Sequence, residues 1–232
     1  MHTTETDGNN TIRELADAAK ERGYDYIAIT DHSQRVSVAQ GMDDKRCRKH
    51  ADAVRREGGR AKGVRLLAGV EVDILKSGKL DLQEKTLADL DWVVASVHSY
   101  FDLSEKTMTD RLLAAIESGV IHALGHPTGR MIGKREPVAF DREAVFDACR
   151  EHKVALEIDS QPDRLDLSDV DAREARDAGA VFAIGTDAHK AGSLRFIDYG
   201  VHVARRAWIE PGQVVNTWTY RKLKKRCKRS GG

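Results

Sequence analysis

Five times in this chain a short apolar run stops on an acid or an imidazole. Residues 26–30 run into Asp31 and His32, 66–70 into Glu71 and Asp73, 92–97 into His98, 120–125 into His126, and 183–186 into Asp187 and His189. The runs are β-branched and nearly continuous, the pattern of strands buried on both faces of a parallel sheet. Residues two apart in extended backbone share a face, so Asp187 and His189 project together from one strand end. Five such ends in one sheet can converge on a single site.

Helical patterns separate the runs. Thr11 caps a stretch with Ile12, Leu15, Ala16 and Ala19 on one face, and residues 43–57, 109–118, 141–152, 169–178 and 192–206 follow suit. Glycines stop most of them, among them Gly23, the Gly58-Gly59 pair, Gly119 and Gly179. Strands alternating with helices predict an α/β fold with a parallel sheet. About seven such units approach the count of a (β/α) barrel, whose active sites lie at the C-terminal strand ends. A chain of 232 residues suits one domain of that size, expected over 1–220, with 221–232 as a basic tail.

The net charge of +1 points to no class of partner, but its distribution is uneven. Seven of the nine residues 221–229 are basic, which leaves −6 on the residues before them. This tail reads as a solvated extension ahead of a nucleic-acid grip. Cys47, Cys149 and Cys227 are odd in number, far apart and lack a C-x-x-C spacing, which argues against a disulfide framework or thiolate zinc site and fits a reducing cytoplasm. Apolar runs stay well short of 18 residues and the first residues carry no signal pattern, so no membrane partner is expected. Gly58-Gly59 follows a helix without the P-loop lysine spacing, which argues against a glycine-rich phosphate loop.

The candidate metal ligands are His2, Asp7, His32, Glu71, His98, His126, Asp187 and His189. Mixed imidazole and carboxylate donors suit zinc, manganese or iron. Eight donors exceed the needs of one ion, so two or three divalent ions are expected, with one carboxylate bridging. That layout acidifies a water and clamps the oxygens of a phosphoester. His50, His122, His152 and His202 read as packing or exposed histidines, while Asp31 and Asp73 either orient ligand imidazoles or cap strand ends. Arg130, Arg164 and Ser99 are candidate contacts to a substrate phosphate, with loop salt bridges as the competing reading of the arginines.

His2 with Asp7-Gly8, Thr30-Asp31-His32, Gly69-Val70-Glu71, Ser96-Val97-His98-Ser99, Gly125-His126-Pro127-Thr128-Gly129-Arg130 and Thr186-Asp187-Ala188-His189 resemble the motifs of the PHP (polymerase and histidinol phosphatase) superfamily. The stretch 126–130, the segment 157–167, and Trp208-Ile209-Glu210 with Val215-Asn216-Thr217 are similar to the PHP domain of bacterial X-family DNA polymerases. The resemblance implies a distorted, TIM-like seven-stranded (β/α) barrel with a trinuclear site and metal-dependent phosphoesterase activity. In polymerase-linked members that activity is a 3′–5′ exonuclease on DNA 3′ ends, which belongs to DNA repair. Two alternatives share the motifs: a stand-alone phosphatase of the histidinol-phosphatase type, acting on a small phosphomonoester, and an inactive metal-binding structural or regulatory module.

Carried over by motif, His2 shares one metal with Glu71 and Asp187, and Glu71 bridges to a second held by His98. Asp7, His32, His126 and His189 complete the coordination, and Glu71, Asp187 and His98 carry the catalysis. The family pattern opens on His-x-His, of which His2 is the second histidine. The first histidine and most of the first strand are therefore expected to be missing. That opens a barrel edge and weakens one metal site, with a polymerase module as upstream partner.

Overall fold

A computed structural model describes residues 1–227. Six strands, β1 (Tyr26–Ile29), β2 (Arg65–Asp73), β3 (Trp92–Ser96), β4 (Ala123–Leu124), β5 (Ala155–Asp159) and β6 (Phe182–Gly185), lie side by side in sequence order. Every neighbouring pair is parallel. Helices α1 (Ile12–Glu21), α2 (Asp44–Arg60), α3 (Glu84–Ala88), α4 (Glu105–Glu117), α5 (Arg142–Glu151), α6 (Asp169–Asp177), α7 (Ile197–Arg206) and α8 (Tyr220–Cys227) accompany them. Registers such as Glu71 opposite Val94 and Asp73 opposite Ser96 bring the polar strand ends level with one another.

Helix starts follow local chemistry. Thr11 and Glu14 form a reciprocal capping box on α1, while Asp43, Ser104, Asp141 and Ser168 each accept an N–H of the following first turn. The Ser104 cap places the start of α4 at Glu105, four residues before the expected one. The α2 helix also passes through Gly58-Gly59 to Arg60 instead of stopping there. A β-carbon at Gly58 would meet the Leu66 side chain at 3.5 Å, an ordinary contact distance, so the helix packs on β2 here without requiring glycine. A 3₁₀ segment over Ala191–Phe196 delays the last expected helix to Ile197.

The sheet has six strands among the described residues where seven were expected, and no ladder joins β6 to β1. Two segments cross the space between these edges. At the C-terminal end, Thr30 N–H donates to the Met1 carbonyl at 2.8 Å and His2 N–H to the Ala188 carbonyl at 2.9 Å. At the other end, Val214 bridges to Phe182, and the Asn216 amide side chain bonds both the N–H and the carbonyl of Ile184 at 2.8 and 2.9 Å. The Tyr26 hydroxyl completes that crossing by donating to the Val215 carbonyl at 2.7 Å. Between the two crossings, a cavity of about 490 Å³ lined by Ala28, Leu67, Trp92 and Ala183 reaches up to Glu71 and Asp187.

Most of the expected tail is ordered as α8, whose Leu223 is 3% exposed and packs with Leu67, Trp92, Ala123 and Ala155 at the N-terminal ends of β2 to β5. Burying one leucine contributes about 2 kcal/mol, and Trp218, Tyr220 and Cys227 pack on the same cluster beside it. Residues 228–232 of the expected tail lie outside the described residues.

Candidate metal centre

The eight candidate ligands come from six places in the chain and meet at the C-terminal ends of the strands. Glu71, at the inner end of β2, is the hub. Its Oε2 lies 3.3 Å from His32 Nδ1 and 3.5 Å from His2 Nε2, and its Oε1 lies 3.0 Å from His126 Nε2 and 3.3 Å from His98 Nε2. Each carboxylate oxygen thus faces two imidazoles. Asp187 takes His2 Nε2 at 2.8 Å, and Asp7 lies 3.3 Å from His189 Nε2 and 3.6 Å from His32 Nε2. The His2 ring lies against those of both His32 and His189, with each centroid 4.3 Å away.

Three donor groups emerge: His2 with Glu71 and Asp187; His32 with Glu71 and His98; and His2, Asp7, His32 and His189. Within each, the donor atoms lie within 4.8 Å of one another. The buried Nδ1 atoms of His2, His32 and His126 have no hydrogen-bond partner, an unusual cost for interior imidazoles. Lone pairs left unmatched inside a nitrogen and oxygen donor set fit divalent cations well.

The backbone is arranged around this cluster. His126 and Asp187 have φ of +25° and +43°, a left-handed region that non-glycine residues enter at a cost typical of functional sites. A β-carbon at Gly8 would lie 2.2 Å from the His2 carbonyl oxygen, so glycine lets the loop carrying Asp7 close over His2.

Two acids hold the ligands from behind. Asp73, fully buried, accepts His98 Nδ1–H at 3.0 Å and so turns Nε2 towards Glu71. Asp31, also fully buried, accepts the Thr3 N–H and hydroxyl, the Thr6 hydroxyl and His50 Nε2–H, at 2.6–2.9 Å. It ties the loop of His2 and Asp7 to α2. His50 therefore packs as the sequence suggested, and His122 accepts the Val93 N–H through Nδ1. His152 and His202 are exposed. Replacing Asp73 by alanine is expected to lower metal affinity about 10- to 100-fold, because the His98 ring loses its orientation. A chelator-competition titration beside the wild type measures it, and unchanged affinity would remove Asp73 from this role.

The charge balance is just as specific. Burial raises the Glu71 carboxyl, but His32, His98 and His126 overcome this and hold it well below the usual carboxylate range. Asp187 is likewise held down against its burial by the hydrogen bond from His2. Burial lowers His98, but Glu71 and Asp73 outweigh it and push the ring up to about 10; burial likewise lowers His189, but Asp7 and Asp187 outweigh it and raise it to about 9. Burial dominates at His32 and brings it down to about 4.

Near neutral pH, a cation taken up by these donors would displace protons from His98 and His189. Apparent metal affinity is expected to rise with pH across the neutral range, by up to about tenfold per pH unit for each proton released. Without metal the sign is opposite: the ion pairs of these raised histidines stabilise the fold below about pH 6.5, and that stability is lost as pH rises through about 9 and 10. Metal titrations at several pH values check the first statement. An affinity that does not change with pH would contradict it.

Glu157 was not among the sequence candidates. It sits on β5, where its Oε2 accepts the His126 N–H at 2.7 Å, and burial, reinforced by Glu71 and Asp187, raises its carboxyl to about 7. A β-carbon at Gly185 would lie 2.1 Å from Glu157 Oε1, so β6 leaves room for it. A glutamate inside the apolar run 154–158 was the available signal. Asp166 was also missed; its carboxylate accepts the Thr128 N–H and hydroxyl and fixes the loop after His126.

The phosphate candidates lie beside the cluster. Arg130 donates to the carbonyls of Arg164 and Leu165 at 2.8 and 2.7 Å, and Arg164 Nε lies 3.5 Å from Asp159 Oδ2. The Ser99 hydroxyl is buried without a hydrogen-bond partner.

Residues 1–160 match the PHP domain family. The chain belongs to that family. Among PHP relatives it is 37% identical to the DNA polymerase/3′-5′ exonuclease PolX of Bacillus subtilis over 230 residues, which cover 99% of this chain and 40% of that protein. It thus spans less than half of the Bacillus relative's length. It is also 29% identical to the probable phosphatase YcdX of Escherichia coli O81, over 93% of this chain and 87% of that one. The PHP fold is matched at a TM-score of 0.62 and 15% identity by a histidinol phosphate phosphatase of Lactococcus lactis, solved with zinc, L-histidinol and phosphate, covering 90% of this chain and 92% of the other.

Proposed function

We propose that this PHP domain is a metal-dependent phosphoesterase that removes nucleotides from DNA 3′ ends, the 3′–5′ exonuclease module of an X-family polymerase working in DNA repair. The observation that carries the chemistry is the Glu71 carboxylate, each of whose oxygens faces two imidazoles and which is shared by two of the three donor groups. Likeness to the Bacillus polymerase over 99% of the chain favours a DNA end as substrate.

His2, Glu71 and Asp187 would hold one divalent cation, and Glu71 and His98 a second, with His126 beside them. Asp7, His32 and His189 would hold a third. Bound zinc, manganese or iron supplies Lewis acidity and a water that deprotonates near neutral pH. The protein's share is placement. Asp73 and Asp31 fix the rings and the loop, and Glu157 fixes the backbone of His126. Arg130 braces the 164–165 turn, which leaves Arg164, beside Asp159, as the candidate contact to a non-bridging phosphate oxygen. The cytoplasm is the expected setting; no helix among the described residues is long and apolar enough to cross a membrane.

The second reading, a small-molecule phosphatase, is favoured by the likeness to YcdX, which extends over 87% of that protein's length. Incubating the manganese- or zinc-loaded chain in parallel with a 5′-labelled single-stranded oligonucleotide and with histidinol phosphate separates the two. Stepwise shortening of the oligonucleotide is expected. Release of phosphate from histidinol phosphate alone would establish the second reading in its place.

A further inference from the structure

The metal centre uses one end of the barrel; the opposite end carries an unneutralised cationic surface. Helix α8 presents Arg221, Lys222, Lys224 and Lys225 to solvent around the buried Leu223, with Arg226 half-buried beside them. None of these five cations has an ion pair within 4 Å among the described residues, although the chain is rich in acids and pairs its cations freely elsewhere. Asp91, in the same cleft, accepts the Ala68 N–H at 3.0 Å and makes no ion pair with the α8 cations. Positive charge is thus gathered on one helix of a body that is net negative.

The cations are also pre-positioned. Lys222 Nζ sits 3.8 Å from the Trp218 ring centroid, and the Arg226 guanidinium 5.6 Å from it. Across the helix the Arg65 guanidinium lies 4.8 Å over the Tyr220 ring, with Lys224 on the same ring at 5.9 Å. Such contacts restrain long side chains before any ligand arrives, which lowers the ordering cost of binding. The surface is remote from the hydrolytic site. Leu223 packs on Leu67, four residues before Glu71 along β2, or about 13 Å at strand rise.

We propose that α8 and Arg65 form a docking surface for the phosphate backbone of a nucleic-acid strand, separate from the metal centre. Lysine and arginine on successive helical turns with flanking aromatic rings suit a repeating, sequence-independent polyanion. Lys228 and Arg229 follow in the sequence and extend the positive run. The surface gives the phosphoesterase a second hold on a long substrate, so it rests on the proposed function for the identity of the ligand but not for the act of binding.

The test is fluorescence anisotropy of a fluorescein-labelled single-stranded oligonucleotide with the full chain in EDTA, where no hydrolysis occurs, over a series of salt concentrations. The triple variant Arg221→Gln, Lys224→Gln, Lys225→Gln is compared with the wild type. Expected are affinity lowered about tenfold or more at low salt, and a slope of log affinity against log salt shallower by about 2. Lys225→Gln alone, on the solvent side of α8, is expected to lower the slope by about 0.7, which keeps the test informative if the triple variant loses stability. Equal binding by the variants, or no binding by the wild type, overturns the proposal. Binding to phosphatidylserine vesicles without binding to the oligonucleotide overturns it too, assigning the surface to a lipid headgroup. Hydrolysis of p-nitrophenyl phosphate by the metal-loaded triple variant is expected to match the wild type. Loss of that hydrolysis in both proteins would count against the phosphoesterase reading and leave the binding result standing.

Discussion

Glu71→Gln is expected to lower phosphoester hydrolysis by about 10³-fold or more while leaving the fold intact, a barrier increase of about 4 kcal/mol. The amide is nearly isosteric, so packing at the end of β2 survives. What changes is charge and donor capacity. One side of the amide becomes an NH₂ group that is unable to coordinate a cation and that points at two imidazoles. Whichever side it takes, one pair of rings loses its shared oxygen, and two donor groups built on Glu71 lose a common ligand. Circular dichroism should be unchanged, metal content should fall, and turnover on both oligonucleotide and small phosphomonoester should collapse together. Retention of full turnover would remove Glu71 from the centre.

Asp31→Ala is expected to damage stability most. The substitution leaves the Thr3 N–H, two threonine hydroxyls and His50 Nε2 without their buried acceptor. Stranded buried donors each cost about 1–3 kcal/mol, and removing one partner from a buried charged network costs about 3–5 kcal/mol in total. Chemical denaturation measures the loss. Activity should fall further than stability explains, because the loop that sets His2 and Asp7 hangs from this carboxylate. Burial raises the Asp31 carboxyl, but His50, Thr6 and Thr3 overcome that and depress it below the usual range. Its stabilisation is therefore complete above about pH 4 and is lost as pH falls below that, a dependence that Asp31→Asn should flatten. A wild-type denaturation profile with no acid-dependent component removed by that variant would argue against the clamp.

The parts of the site that lie along one strand were legible in the sequence, and the parts that depend on neighbouring strands were not. An apolar run ending in Asp187 and His189, or in Glu71 and Asp73, states which residues face the same way, because alternation in a strand is a local rule. That rule, repeated at five strand ends, placed six of the eight ligand candidates at one end of the barrel; His2 and Asp7 precede the first of these runs and rested on the motif resemblance. It did not reveal that His126 would stand against the same Glu71 oxygen as His98, since that depends on how far the sheet curls. Glu157 escaped for a related reason: its importance lies in the His126 amide on the adjacent strand and in the room left by Gly185.

Elsewhere, tertiary contacts overrode local signals. Gly58-Gly59 reads as a helix stop, but packing against Leu66 rewards continuing α2. The run 221–227 reads as a solvated tail because six of its seven residues are basic, polar or small; the anchoring of Leu223 on the barrel floor, with Tyr220 and Cys227 beside it, holds it there as a helix. Arg111 gave no signal at all. It is buried in α4 and donates to the carbonyls of Ile74, Leu75 and Ser99, joining the loops on either side of His98. Such a residue is invisible until the loops it joins are adjacent.

The most direct measurement is elemental analysis of the purified chain after metal loading and removal of excess, made in parallel on wild type and Glu71→Gln. Two or more zinc, manganese or iron ions per wild-type chain, falling by at least one in the variant, is the expected result. At most one ion in the wild type, or the same content in both proteins, would contradict a multinuclear centre built around Glu71.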